Sequence, residues 1–275
     1  MAPSQQHDPA RSDRPLALVT GASTGIGLEL ARLFARDGYD LVICAEGADI
    51  ETAAAELRGL GAQVEAIRAD LATEAGVETL AGRFGADRRA PDAACLNAGI
   101  GLGGAFVEQE LARILKVIDT DVRGTVHLAR RILPGMVARG SGRVLFTSSI
   151  AAEMPGPFQA VYNAGKAFVQ SFSQAVRNEL EDSGVTVTAL QPGATETNFF
   201  HRAELDDTQV GQGAKASAAD VARAGYDALM AGKDHVVAGT LKDRVMGNAA
   251  KVLPDVLTAQ QHRKMTEPGS GDAKA

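Results

Sequence analysis

Leu16-Ala17-Leu18-Val19-Thr20-Gly21-Ala22-Ser23-Thr24-Gly25-Ile26-Gly27 decides how the rest of the chain is read. Residues 16–20 form a short apolar run of the length of a buried strand. Glycines follow in the spacing Gly-x-x-x-Gly-x-Gly. From Gly25 onward Ile26, Leu30, Leu33 and Phe34 recur at helical spacing. A strand that turns through glycines into a helix lets the backbone approach a pyrophosphate, and the helix N-terminus favours negative charge. Gly21, Ser23, Thr24, Gly25, Ile26 and Gly27 are therefore expected to cradle a dinucleotide. The competing reading is a plain glycine-rich connection with no ligand.

Outward from this turn, short apolar runs alternate with helical patterns. Strands are expected at 40–45, 64–69, 93–96, 143–147, 185–190 and 235–238. Helices are expected at 49–58, 74–83, 108–139, 158–183 and 218–231, with a terminal helix over 242–265 interrupted at Pro254. Seven strands separated by helices predict an α/β, Rossmann-like doubly wound fold with a seven-stranded, mostly parallel sheet. No repeat or linker divides the core. One catalytic domain is expected over 15–265, between disordered tails at 1–14 and 266–275.

The 275 residues carry a net charge of −6, which lacks the basic footprint of a nucleic-acid binder. No apolar run reaches the roughly 18 residues of a membrane helix. The polar opening, with three prolines in residues 1–15, is unlike a signal peptide. Cys44 and Cys95 lie in apolar runs and read as buried small hydrophobes, and ligands for a metal are lacking. A cytoplasmic protein without membrane or nucleic-acid partners is expected.

The ends of the later strands supply further candidates. Glu46 follows the second strand, about 20 residues past the glycines, where an acid can hold the adenosine ribose hydroxyls. Against a 2′-phosphate it repels, by about 4 kcal/mol at ~4 Å and an effective dielectric of ~20. No Arg or Lys stands in the glycine turn or in residues 44–50 to offset that charge. NAD is thus expected over NADP, unless a distant cation such as Arg68 folds in. Asp70, before Leu71, is placed to accept from the adenine amino group or to cap the next helix. Asn97-Ala98-Gly99 allows a sharp turn beside the ribose. Pro192-Gly193-Ala194-Thr195-Glu196-Thr197 can lay backbone and hydroxyl groups against the nicotinamide carboxamide.

Tyr162 and Lys166 stand at i and i+4, on one helix face. Lowering a phenol by about three units needs roughly 4 kcal/mol. One ammonium about 4 Å away supplies that order, making an acid/base near neutral pH. Ser148 and Ser149 end the preceding strand, where a hydroxyl can meet a substrate oxygen or merely satisfy the loop.

Together these pieces resemble the short-chain dehydrogenase/reductase family over about residues 15–240. They stand in the family's order: the Thr20–Gly27 turn, Asp70-Leu71, Asn97-Ala98-Gly99, Ser149, Tyr162-x-x-x-Lys166, and Pro192-Gly193 with Thr197. Ser149 stands thirteen residues before Tyr162, the family's spacing, which selects it over Ser148. The resemblance implies that Tyr162 donates and accepts the proton. It implies that Lys166 binds the nicotinamide ribose and lowers the phenol, and that Ser149 orients the substrate oxygen. A homodimer or homotetramer built through the two long helices is also implied. The family's usual Asn in the fifth helix, which supports a water and the lysine in a proton relay, is Asp121 here, in Asp121-Val122-Arg123-Gly124. The resemblance implies that Asp121 serves in that relay as a catalytic residue, with an extra negative charge near Lys166 that alters the tyrosine pKa. Leu96 replaces the first Asn of the family's Asn-Asn-Ala-Gly, and Ala45 occupies the place of the Asp in many NAD-using relatives.

The substrate pocket is expected along 150–158, 100–106 and 199–212, and its mostly apolar residues point to an apolar alcohol or ketone. A non-catalytic dinucleotide-binding regulator, and an epimerase or dehydratase of the same fold, are the alternatives.

Overall fold

A computed structural model describes residues 14–84, 89–250 and 253–271. The expected N-terminal tail, apart from Arg14, lies outside the described residues. In chain order the elements are β1 (Leu16–Thr20), α1 (Gly25–Arg36), β2 (Asp40–Ala45), α2 (Ile50–Gly59), β3 (Val64–Arg68), α3 (Glu74–Ala81) and β4 (Ala93–Leu96). Then come α4 (Leu111–Ile118), α5 (Thr125–Arg139), β5 (Gly142–Thr147), α6 (Ala160–Glu179), β6 (Val185–Pro192), β7 (Thr195–Glu196), α7 (Phe199–Arg202) and α8 (Gln209–Gln212). The chain continues through β8 (Ala216–Ser217), α9 (Ala218–Met230), β9 (His235–Ala238), α10 (Leu241–Ala250) and α11 (Asp255–Thr266).

The main sheet has the order β3-β2-β1-β4-β5-β6-β9, with every pairing parallel. Crossing from β3 to β4 over β1 reverses the direction of winding. That switch point opens a crevice at the strands' carboxyl ends, where ligands of such sheets bind. Both faces are covered. Leu30, Phe34, Ile43, Leu57 and Leu229 fill one side, and Leu18, Leu80, Leu128, Ile132 and Phe146 the other. Burial on both faces explains why the strands read as continuous apolar runs rather than alternating ones.

Three boundaries differ from expectation for identifiable reasons. The predicted 108–139 helix is broken by a π-helical segment, Asp119–Gly124, between α4 and α5. Gly124 there lets the segment pack on the Leu71 carbonyl, which a Cβ would approach to 2.3 Å. The helix predicted from 158 starts at Ala160, because Phe158 holds a positive φ of 62°. Strand β6 runs two residues further, through Pro192, because Gln191 and Pro192 pair with Val237 and Ala238 of β9.

The expected C-terminal tail is held down as far as Gly271. The backbone N–H groups of Gly269 and Gly271 donate to the side chain and backbone of Asp207, and that of Gln209 donates to the Ser270 hydroxyl. Residues 272–275 lie outside the described residues. No helix among the described residues is long and apolar enough to cross a membrane.

Candidate active site

One cavity of about 640 Å³ runs along the carboxyl ends of β1 to β6, within the range of small-molecule sites. At one end lies the glycine turn. Gly21 and Gly25 hold φ of 65° and 59°, conformations that favour glycine. Gly27 has a different role, since its Cβ would lie 2.2 Å from the Gly21 carbonyl oxygen and prise the helix from the turn. Gly21, Ser23, Thr24, Gly25 and Ile26 line the cavity, whereas Gly27 supports them from behind. Thr24 caps α1 without a side-chain bond, so first-turn N–H groups remain for an anion. A cradle closed to side chains, with free donors at a helix N-terminus, fits a dinucleotide pyrophosphate.

Glu46, Asp70, Leu71, Asn97, Ala98 and Gly99 line the adjoining wall. The Asp70 carboxylate accepts from the Ala72 N–H at 2.9 Å, while the cap of α3 is Thr73, which accepts from Gly76 at 3.0 Å. Asn97 fastens three strand ends: its amide donates to the Thr20 carbonyl and its oxygen accepts from the Thr147 hydroxyl. Gly99 needs no unusual backbone. A Cβ there would sit 2.8 Å from Lys166 Nζ, so glycine makes room for the lysine.

The charge expected to stand alone at Glu46 is compensated. Lys116 on α4 pairs with its carboxylate at 2.8 Å, and Arg68 on β3 donates from Nε to its carbonyl at 3.0 Å while lining the cavity. Both cations are remote in sequence, which is why the local reading omitted Lys116.

At the other end, the first turn of α6 carries Tyr162 and, one turn on, Lys166. Lys166 Nζ lies 5.6 Å from the Tyr162 ring centroid, and the Phe199 centroid lies 5.2 Å from it. Ser149 caps the 3₁₀ turn at 150–153 by accepting from Ala151, its hydroxyl donates to the Pro192 carbonyl at 3.3 Å, and it lies beside the Tyr162 phenol. The Ser148 hydroxyl is committed to the Lys166 carbonyl at 2.9 Å. Pro192, Gly193, Thr195 and Thr197 close this end. The Thr195 hydroxyl donates to the Gly193 carbonyl, and that of Thr197 accepts from Phe199 N–H.

Asp121 does not line the cavity. It stands behind Lys166, fully buried, with Oδ2 3.0 Å from Lys166 Nζ and Oδ1 accepting from Ile100 N–H at 2.8 Å. The lysine also donates to the Thr147 carbonyl at 3.2 Å. Burial disfavours the ammonium most, but Asp121 and Tyr162 together outweigh it, and the Lys166 pKa is held above its ordinary value. The Tyr162 phenol is pushed up, by burial first. Lys166 and the Ser149 hydrogen bond oppose that shift, and Asp121 adds to it. Burial thus outweighs the lysine and holds the phenol above its ordinary value, with Asp121 a lesser contributor in the same direction.

The expected pocket segments contribute Ile100, Gly101, Ile150, Ala151, Met154, Phe199, Phe200, Arg202 and Val210. Residues 102–106 turn away, and Phe106 is exposed. His201 faces solvent, paired with Asp206. Sequence reasoning missed Met246, His262, Met265 and Thr266, which α10 and α11 bring over the cavity. The helical pattern of 242–265 was legible, but nothing in it states where the helices dock.

His262 joins this wall to the helix that carries Tyr162. Its Nε2 lies 3.3 Å from the Asn163 amide and its Nδ1 3.1 Å from the Thr266 hydroxyl. Burial depresses its pKa from 6.5 to about 4, so it is neutral in the fold. Below about pH 6.5 the unfolded chain gains a proton that the fold refuses, so stability falls as pH drops from 6.5 toward 4. The loss amounts to about 3 kcal/mol. Urea midpoints at pH 7 and 4.5 check this: His262→Gln is expected to lose clearly less stability on acidification than the parent protein does.

Residues 15–208 match the family described as short chain dehydrogenase. The chain belongs to the short-chain dehydrogenase/reductase family. A short-chain dehydrogenase from Sphingobium yanoikuyae in complex with NADPH shares its fold with a TM-score of 0.76 at 32% identity, over 81% of this chain and 87% of that one. Sulfoacetaldehyde reductase 2 of Chromohalobacter salexigens is 32% identical over 186 residues, 67% of this chain and 74% of the relative. The oxidoreductase EphD of Mycobacterium tuberculosis is 33% identical over 202 residues, 71% of this chain; the match spans about a third (34%) of EphD. Cys44 and Cys95 are free and buried, and burial pushes the Cys44 thiol up to about 12, so neither is a nucleophile of this oxidoreductase family member.

Proposed function

We propose that this enzyme transfers a hydride between NAD(P)(H) and the alcohol or carbonyl carbon of an apolar small molecule. Ser149, Tyr162 and Lys166 would manage the substrate oxygen. The convergence of these three side chains on one wall of the cavity that holds the glycine cradle carries the reading. The cofactor, when bound, supplies or takes the hydride. The Ser149 hydroxyl orients the carbonyl oxygen, and the Tyr162 phenol, protonated at neutral pH, gives it a proton in the reductive direction. Lys166, fixed by Asp121 and the Thr147 carbonyl, presents its charge beside the ring and toward a ribose.

Apolar walls from Ile150, Met154, Phe199 and Phe200 support an apolar substrate. Exposed Leu111, Leu115 and Ile118 on α4 and Phe168 on α6 support pairing of copies through these helices. Two buried, unpaired cysteines agree with a cytoplasmic setting.

The test is oxidation of NADH and NADPH by a panel of apolar ketones and of polar sugars. Turnover of the ketones is expected with both cofactors. Binding without turnover would leave a regulator, and epimerisation without net cofactor consumption would leave a cofactor-retaining isomerase. Because Lys116 and Arg68 offset Glu46, kcat/KM for the two cofactors is expected to agree within about tenfold. Lys116→Ala is expected to shift that ratio toward NADH roughly fivefold, the scale of an exposed ion pair; an unmoved ratio would remove Lys116 from cofactor choice.

A further inference from the structure

Beyond the active-site cavity lies a second one of about 510 Å³, at α10 and the start of α11. Its apolar walls are Leu241, Val245, Ala250 and Leu253, and Lys242, Thr258 and Gln261 are its polar lining. Met154 and Met246 line both cavities, so the two adjoin at these side chains. Methionine is unbranched and adapts its rotamers, which suits a partition that yields to a ligand. Leu241 and Val245 are 78% and 61% exposed, an unusual cost for a surface with no occupant. These helices also lie past residue 208, where the family match ends.

We propose that the substrate carries an unbranched alkyl or acyl tail, and that the tail passes between Met154 and Met246 into the groove formed by α10 and α11. The proposal rests on the oxidoreductase reading and names the substrate class of the same site. The two methionines shared with the active-site cavity select a substrate tail over another copy of the chain. The groove's volume of about 510 Å³ is that of a ligand pocket.

The experiment measures kcat/KM for straight-chain methyl ketones from butanone to tridecanone, with NADH and NADPH. Each methylene that leaves water for the groove is expected to raise kcat/KM roughly three- to fourfold, continuing through the longer members. Val245→Asp places a charge in the groove at an exposed position and is expected to flatten the dependence among the long ketones. Sedimentation of the variant is expected to match that of the parent. A rise that stops at the short ketones, or a slope that survives Val245→Asp, overturns the tail assignment. A changed mass on sedimentation assigns the groove to contact between copies and overturns it equally. Absence of turnover with every ketone would instead count against the oxidoreductase reading itself.

Discussion

Tyr162→Phe is expected to lower kcat by about 10²- to 10⁴-fold, the worth of a positioned acid/base, while the dissociation constant for NAD(P)H stays within about threefold. The ring is held by Phe199 at 5.2 Å and by Lys166 at 5.6 Å, and phenylalanine keeps both contacts. Only the hydroxyl, with its interaction with Ser149, is lost. Fold and cradle remain, so the loss reports proton transfer. The comparison requires tryptophan-free detection, since the chain has no Trp. Nicotinamide fluorescence serves for binding and its absorbance for turnover. Retention of more than a tenth of the parent kcat would show that the proton comes from elsewhere. The phenol is protonated at neutral pH, so reduction should be the faster direction there, and oxidation should gain rate as pH rises and phenolate forms.

Much of this site was legible because its parts lie where strands end. Local sequence sets a strand, a glycine turn and a helix start, and the parallel sheet then brings all such ends to one edge. Gly21, Gly25, Asn97, Ser149, Tyr162 and Lys166 meet for that reason. What stayed hidden depended on packing between distant segments. Lys116 reaches Glu46 from 70 residues away, and His262 reaches Asn163 from 99 residues away. No periodicity announces either. The role of Gly99 was misread similarly: a turn was expected, but the lysine's occupancy of the adjoining space is what forbids a side chain. The π-helical break at Asp119–Gly124 leaves the apolar pattern of a long helix nearly unchanged, so that pattern alone reads as one uninterrupted helix.

Asp121→Asn should alter the enzyme in two separable ways. The amide keeps an oxygen for Ile100 N–H, so the π-helical segment retains that tie. It removes the charge that faces Lys166 at 3.0 Å inside the protein. Breaking a buried pair by removing one partner typically costs about 3–5 kcal/mol, because an ammonium is left without its counter-charge. A lower urea midpoint is therefore expected, with Asp121→Ala lower still because it also abandons Ile100 N–H. Stability alone would fit a purely structural residue; the pH profile separates the cases. Asp121 adds to the rise in the Tyr162 pKa, so its neutral replacement removes that contribution and leaves burial alone to oppose the ammonium, provided Lys166 stays protonated. The phenol must be protonated for reduction, so the alkaline limb of kcat/KM for ketone reduction is expected to move to lower pH. The acidic limb of alcohol oxidation, which needs phenolate, should move the same way. His262, neutral behind Asn163, has no charge to confuse the readout above pH 6.5. A variant that loses stability but keeps both limbs in place would show that Asp121 only fills and pairs. Displaced limbs would show that the acid behind the lysine sets the pH at which Tyr162 gives up its proton.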